Sequence, residues 1–178
     1  MATYVAFLRA INLGARRKFP KADIQRVTED TGFDGVATYI NTGNVRLDTR
    51  MRSRARVEAA LEAAYLADRG FEVPTIAYAA PELRALVADI EELGEGHTGQ
   101  HHVVLLKDEP VPAAVRAAAA LGGDGERLVL RGRAAHLLIG TSFHASTLGN
   151  AQVEKVLGGT VGTTRSATVL RTLSERWC

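Results

Sequence analysis

The chain has 178 residues, of which 46% are hydrophobic and 24% charged, and its formal net charge is +2. These values are typical of a globular protein with one domain or two small subdomains, and the small net charge does not by itself indicate nucleic-acid binding. The single cysteine, Cys178, excludes an internal disulfide and favours a reducing compartment. Because there is no signal-peptide pattern and no apolar run of about 18 residues, we expect a cytoplasmic protein without a membrane partner.

Strand-like and helix-like segments alternate in the first half in the order β-α-β-β-α-β. Apolar or alternating runs predict strands at residues 3–11, 35–40, 45–49 and 73–78. Helices are predicted at residues 20–31, which begins with a proline, and at residues 52–69, which is followed by Gly70. This order is the ferredoxin-like pattern, so we assign a ferredoxin-like subdomain to residues 1–79.

The second half has a related but incomplete order. Strands are predicted at residues 102–106 and on both sides of a hairpin turn near Gly132. Helices are predicted at residues 81–93, 111–121, 146–157 and 164–176. We therefore expect residues 80–178 to form a second, smaller α/β subdomain that lacks a final strand, which makes the whole protein α+β.

The ferredoxin-like order brings two polar segments of the first half together. With right-handed crossovers, strand three lies antiparallel between strands one and two, so loop 12–19 and turn 41–44 meet at one edge of the sheet. Amides, a hydroxyl, glycine backbone and cations beside a helix start suit an anion such as phosphate or carboxylate. The candidate ligand-binding residues there are Arg9, Asn12, Gly14, Lys18, Asn41, Thr42, Gly43 and Asn44.

The same segments also have a simpler structural interpretation. Asn and Gly supply the positive φ of a hairpin turn, and Asn side chains bond to nearby backbone. The five cations between Arg9 and Lys21, with no acid among them, are in most proteins a solvated surface. The full Asn-Thr-Gly-Asn set in turn 41–44 is nevertheless more than hairpin geometry requires.

Other motifs give weaker indications of chemistry. His97, His101 and His102 have a spacing that would suit a helical metal site, but the neighbouring glycines argue against a helix, so we expect no metal. Thr163 or Thr164 is interpreted as the N-cap of the last helix, and Arg165 at its start would oppose the helix dipole, which hints at an acidic partner. No nucleophile elbow, P-loop lysine or aromatic RNA-binding platform is present in the sequence.

Three segments carry a family resemblance: LRAINLG followed by RRKFP, TYINTGNV, and TTRSATVL. In order and spacing they resemble the signature blocks of DUF1697, a family of uncharacterised bacterial proteins. The resemblance implies an α+β fold with two subdomains and no established activity. Ala10 and Ala15 stand where the family pattern has glycines, and Ser166-Ala167-Thr168 replaces Asn-Trp-Asn. The polar residues that match by position are Arg9, Asn12, Gly14, Lys18, Tyr39, Gly43, Asn44, Thr163, Thr164 and Arg165.

Three functional hypotheses follow from the sequence. The preferred one is a non-catalytic site for a phosphate-bearing small molecule or a nucleic-acid backbone, with Thr164 and Arg165 contributing if the last helix packs nearby; no cofactor is expected. The alternative is a hydrolase or transferase acting on a phosphorylated or nucleotide-like substrate, for which Asp34 and His102 are candidate bases. The third is an interaction module whose basic loop docks on an acidic partner.

Overall fold

The computed structural model describes residues 1–123, 125–140 and 142–178. This part of the chain contains eight strands and six α-helices. The strands are β1 (Ala2–Leu8), β2 (Asp34–Tyr39), β3 (Asn44–Thr49), β4 (Thr75–Ala79), β5 (Gln100–Leu106), β6 (Glu126–Arg131), β7 (Ala134–Ile139) and β8 (Gly162–Ser166). The helices are α1 (Lys21–Asp30), α2 (Arg54–Arg69), α3 (Ala80–Gly94), α4 (Pro112–Ala119), α5 (Asn150–Val156) and α6 (Ala167–Trp177). Among the described residues, no helix combines the length and the apolarity that a bilayer crossing needs.

The fold is α+β and is divided into two compact units. The first unit comprises Met1–Leu83 with Glu175–Cys178, and the second comprises Arg84–Ser174. Each unit contains a four-stranded sheet, with the order β2-β3-β1-β4 in the first and β6-β7-β5-β8 in the second. All neighbouring strands are antiparallel. Strand β3 thus lies between β1 and β2, as expected from the sequence, and the second sheet repeats this connectivity.

The core of the first unit joins one face of its sheet to α1 and α2. Helix α2 turns Val57, Leu61 and Tyr65 inward at the i, i+4, i+8 spacing that the sequence predicts. The Tyr65 hydroxyl hydrogen-bonds to Thr28 on α1 over 2.8 Å. The ring of Phe19 packs edge-on against Tyr65 with centroids 5.1 Å apart, and both rings are fully buried. Burying an aromatic ring of this size contributes roughly 2 kcal/mol, so Phe19 anchors the end of loop 12–19 in the core.

The second unit differs from its predicted order in one element. Residues Gly162–Ser166 form strand β8, and α6 begins only at Ala167. Strand β8 pairs with β5, so Thr164 lies opposite Val104 and Arg165 opposite Val103. The expectation of an incomplete topology without a final strand is therefore wrong. The interpretation of Thr163 or Thr164 as a helix N-cap and of Arg165 as a cation at a helix start is wrong for the same reason.

Candidate functional site

Loop 12–19 and turn 41–44 are in direct contact, and the side chain of Asn12 joins them. Its Nδ2 donates to the carbonyl oxygen of Asn41 over 2.8 Å and to that of Phe19 over 3.1 Å. Its Oδ1 accepts from the backbone N–H of Phe19 over 2.9 Å. Its backbone N–H donates to the carbonyl of Arg17 over 2.7 Å. Asn12 therefore closes the loop on itself and ties it to the turn.

Turn 41–44 is stabilised by its own side chains and by the end of β1. Asn44 is fully buried, and its Nδ2 donates to the Tyr39 carbonyl over 3.0 Å and to Thr42 Oγ1 over 2.9 Å. Gly43 has a φ of +77°, and its carbonyl accepts from the Leu8 N–H over 2.8 Å. The set of residues in the turn therefore follows from packing on β1 as well as from hairpin geometry.

Replacing Asn12 with Ala is expected to lower the free energy of unfolding by about 2 kcal/mol, because three side-chain hydrogen bonds are lost at roughly 1 kcal/mol or less each. The measurement is urea unfolding followed by circular dichroism. The control is Asn41→Ala, since Asn41 contributes its backbone carbonyl to this contact and its side chain is exposed. Equal stability of the two variants would contradict a structural role for the Asn12 amide.

Three residues without a glycine's freedom have positive φ beside this contact: Ala10 at 57°, Asn12 at 56° and Ile40 at 50°. Asn tolerates this region, but it costs Ala or a β-branched residue about 1–2 kcal/mol. Strand β1 ends at Leu8 and not at Ile11 because the chain turns here. Strain of this kind persists where surrounding contacts fix it, and it clusters at functional sites.

Two exposed cations, Arg16 and Lys18, lie in the loop, and a third, Lys21, is at the start of α1. Within the part of the chain that the structure describes, none of the three side chains has a hydrogen-bond or ion-pair partner. Helix α1 begins at Lys21 after Pro20, and no side chain caps its first turn. Uncapped amide N–H groups and cations both favour a bound anion. We call loop 12–19, turn 41–44 and the first turn of α1 the loop–turn surface; Gly14, Asn41 and Thr42 are also exposed on it.

Arg17 has a structural role that sequence reasoning missed. Its guanidinium donates to the backbone carbonyls of Ala10 and Glu72, the latter over 2.6 Å. The same group lies over the ring of Phe71, 4.6 Å from its centroid. The contacts with Glu72 and Phe71 join the loop to residues more than 50 positions away in the chain, which no local pattern reveals. Arg17 therefore holds the loop in place while its neighbours stay exposed.

The two remaining predicted residues, Thr164 and Arg165, belong to the second unit on β8. Arg165 is only 7% exposed, and it donates to Thr163 Oγ1 and to the Thr164 carbonyl, each over 2.9 Å. Burial lowers the pKa of Arg165 to about 10. The Thr164 hydroxyl donates to Asn150 Oδ1 over 3.3 Å. Arg165 is therefore a buried strand residue, and the exposed cation expected for an acidic partner is not found at this position.

Neither candidate catalytic base is part of the loop–turn surface. Asp34 begins β2, whereas turn 41–44 follows the end of that strand, so Asp34 and the turn are at opposite ends of β2. His102 is on β5 in the second unit, where its ring stacks on Phe143 with centroids 4.2 Å apart. The described residues contain no group of three His, Cys, Asp or Glu side chains placed to hold a metal ion. Arg9 is half-buried, and its backbone N–H donates to Pro74 over 2.9 Å.

Comparison with known proteins identifies relatives by sequence and by fold. A family model described as a protein of unknown function, DUF1697, matches residues 1–136. A solved structure, described as that of a conserved bacterial protein from Streptococcus pneumoniae, matches with a TM-score of 0.76 at 18% identity, over 99% of this chain and 98% of that one. At this identity the likeness shows a shared fold. No protein with a curated description matches the chain.

Proposed function

The chain belongs to the DUF1697 family, and from that premise we propose that its loop–turn surface binds a phosphate-bearing anion. Because the family model is described as a protein of unknown function, the proposal rests on the chemistry of the surface. The single observation that carries it is the group of exposed cations, Arg16, Lys18 and Lys21, at an uncapped helix start. Unpaired cations of this kind raise the local positive potential and attract anions.

The residues of the surface have different roles in this proposal. Arg16, Lys18 and the backbone at Gly14 and Thr42 contact the anion, and Lys21 adds charge. Asn12, Gly43 and Asn44 hold the loop and the turn in shape, because their polar groups are already used inside the protein. Asp23, in the first turn of α1, opposes anion binding only weakly, since its carboxylate pairs with Arg69 over 3.3 Å.

The ligand class is either a nucleic-acid backbone or a small phosphate compound. Both present the same phosphate chemistry to lysine and arginine side chains. They differ in salt dependence, because a polyanion releases condensed counterions when it binds and a small molecule does not. An open, exposed arrangement of side chains recognises the charge of a ligand more than its shape. The experiment therefore uses one probe of each class, an oligonucleotide and a nucleotide.

The test measures binding of a labelled single-stranded oligonucleotide by fluorescence anisotropy and of a nucleotide by thermal shift, at about 50 and about 200 mM salt. The double variant Arg16→Gln/Lys18→Gln is expected to weaken binding about tenfold at low salt and, for the oligonucleotide, to reduce the salt slope by about two, one for each lost phosphate contact.

The matched control is Arg50→Gln/Arg56→Gln, which removes the same charge from exposed positions after the far end of β3. We expect it to leave binding nearly unchanged. Equal weakening by both double variants would show attraction by net charge alone and would sink the proposed site. If neither the oligonucleotide nor the nucleotide binds at low salt, the proposed site is also wrong.

Two finer statements on organisation are part of the proposal. The β-α-β-β-α-β order and the sheet order β2-β3-β1-β4 support a ferredoxin-like topology for the first unit, and the second unit has the corresponding order. We also propose a subdomain boundary at residues 79/80 and a cytoplasmic location, the latter on cysteine usage.

A further inference from the structure

A polar cavity of about 480 Å³ lies in the second unit, between the start of β5 and the start of α6. It is lined mainly by side chains that bear nitrogen or hydroxyl groups. Those used below are His97, His101, His102, Thr168 and Arg171. In the sequence these residues are far from the cations of the loop–turn surface. The inference drawn from the cavity does not rest on the function proposed above.

One wall of the cavity is backed by a pair of histidines. Nε2 of His101 on β5 and Nδ1 of His136 on β7 are 3.1 Å apart and share one hydrogen bond. The outer nitrogens, His101 Nδ1 and His136 Nε2, are buried and have no hydrogen-bond partner among the described residues. A neutral imidazole has one donor and one acceptor, so in either tautomer one N–H and one lone pair of the pair stay unsatisfied. Buried polar groups of this kind call for an explanation such as a bound ligand.

The unpartnered nitrogen of His101 is buried next to a residue that lines the cavity. It lies beside Gly94, the last residue of α3, where an added Cβ would be only 3.7 Å from His101 Nδ1. Gly94 itself lines the cavity. His101 Nδ1 is therefore next to a glycine of the cavity lining, which has no side chain to cover this nitrogen.

Both histidines are neutral at pH 7, because their surroundings disfavour the charged form. Burial, followed by the charges of Arg171, His97 and His102, lowers the pKa of His101 to about 4, and Glu91 opposes this shift. Burial also lowers the pKa of His136 to about 3, with contributions from His101 and Arg131. An anion in the cavity would offset these effects for His101, which is the member of the pair that lines it.

The cation of the cavity is available to such an anion. Arg171, on the first turns of α6, pairs through Nε with Glu91 Oε1 over 2.6 Å. The Glu91 side chain is 60% exposed, so its carboxylate is well solvated and holds Arg171 only weakly. Thr168, exposed at the start of α6, adds a hydroxyl on the same side.

We propose that this cavity binds a small oxyanion, a phosphate or carboxylate group, against Arg171 and the start of α6, and that His101 takes up a proton from solvent on binding. Protonated His101 donates through Nε2 to His136 Nδ1. Its Nδ1, which has no partner in the neutral pair, then carries an N–H that can donate towards the bound anion. Binding raises the pKa of His101 from about 4, so proton uptake accompanies binding only below about pH 5.5, and affinity rises as pH falls from there towards about 4.

The test is an NMR titration of the histidine ring signals of the full chain, with inorganic phosphate as one probe and acetate as the other. The signals are assigned with His101→Gln and His136→Gln. We expect a saturable shift of the His97 and His101 signals with at least one probe, and a rise of about one unit in the titration midpoint of His101 at saturation. The probe that binds more tightly identifies phosphate or carboxylate as the preferred group.

Two variants of the same ion pair separate the cavity from a general charge effect. Arg171→Gln is expected to weaken binding about tenfold, whereas Glu91→Gln breaks the same ion pair, keeps the cation and should bind at least as tightly as wild type. Histidine signals that neither probe moves, a fixed His101 midpoint, or unchanged binding by Arg171→Gln would each overturn the proposal. Arg16→Gln/Lys18→Gln leaves this titration unchanged, so the two proposals fail or survive separately.

Discussion

Replacing Gly43 with Ala lowers the free energy of unfolding by about 3 kcal/mol, from two physical effects. The first is the φ of +77°, which costs an L-residue with a Cβ about 1–2 kcal/mol. The second is overpacking, because the new Cβ would come within 2.7 Å of Leu8 Cβ and 2.8 Å of Ile11 Cδ1. Forcing a methyl group into such a contact typically costs about 1–3 kcal/mol.

Gly14→Ala separates the two effects. Gly14 has a similar φ of +66°, but an added Cβ would have no atom within 4 Å. Its variant should therefore lose only about 1 kcal/mol, the cost of the backbone conformation. Urea unfolding of both variants measures the difference. If they lose equal stability, close packing of the turn on β1 contributes nothing beyond the backbone strain.

Acid is expected to destabilise the second unit through the histidine pair, well before the carboxylates titrate. The pKa of His136 is about 3 in the folded protein, against an ordinary value of 6.5. Between these values the unfolded chain binds a proton that the folded chain does not, so stability is fully present above pH 6.5 and is lost as pH falls. From pH 7 to pH 5 the loss from His136 is about 2 kcal/mol, at 1.36 kcal/mol per unit. The partly exposed His101 adds a smaller loss of the same sign.

Urea unfolding at pH 7, 6 and 5, in buffers without phosphate, measures this slope. His136→Leu should reduce it by at least half, because the leucine has no proton to bind. His97→Gln is the control: it removes a histidine outside the pair and should change the slope far less than His136→Leu does. The pKa of Asp68 is lowered from its ordinary value of 3.8, mainly by Arg26, so this carboxylate titrates below the window. A slope that His136→Leu leaves unchanged would contradict a buried neutral pair.

The first half of the fold can be predicted from the sequence because its periodic segments are long and their ends are marked by glycine or proline. The 3.6-residue pattern of Val57, Leu61 and Tyr65 and the Gly70 cap define α2 without tertiary information. Strand β8 was missed because it is five residues long and runs into α6 with no turn residue between them. The apolar periodicity of α6 therefore predicts a helix that begins at residue 164, within the strand. The threonines of Thr163-Thr164-Arg165 favour a strand, but this preference is weak beside a helical pattern.

The candidate site was only partly predictable, since its side chains act over long sequence separations. The sequence identified Asn12 and Asn44 as polar groups at the right edge, but their partners depend on the register of β1, β2 and β3. The histidine pair was missed because His101 and His136 are 35 residues apart and meet only through the pairing of β5 with β7. Read singly, each histidine looks like an isolated strand residue.

The hydrogen bonds of Asn12 also determine whether loop 12–19 becomes ordered during folding or only when a ligand binds. Its hydrogen bonds to Phe19 and Asn41 form within the chain, so the loop is ordered when the protein folds and not when a ligand arrives. Ordering a backbone residue costs about 1–2 kcal/mol of conformational entropy, and here that loss belongs to folding. An anion that binds Arg16 and Lys18 then immobilises only two side chains on a backbone already in position. Preorganisation of this kind converts a larger share of the contact energy into affinity.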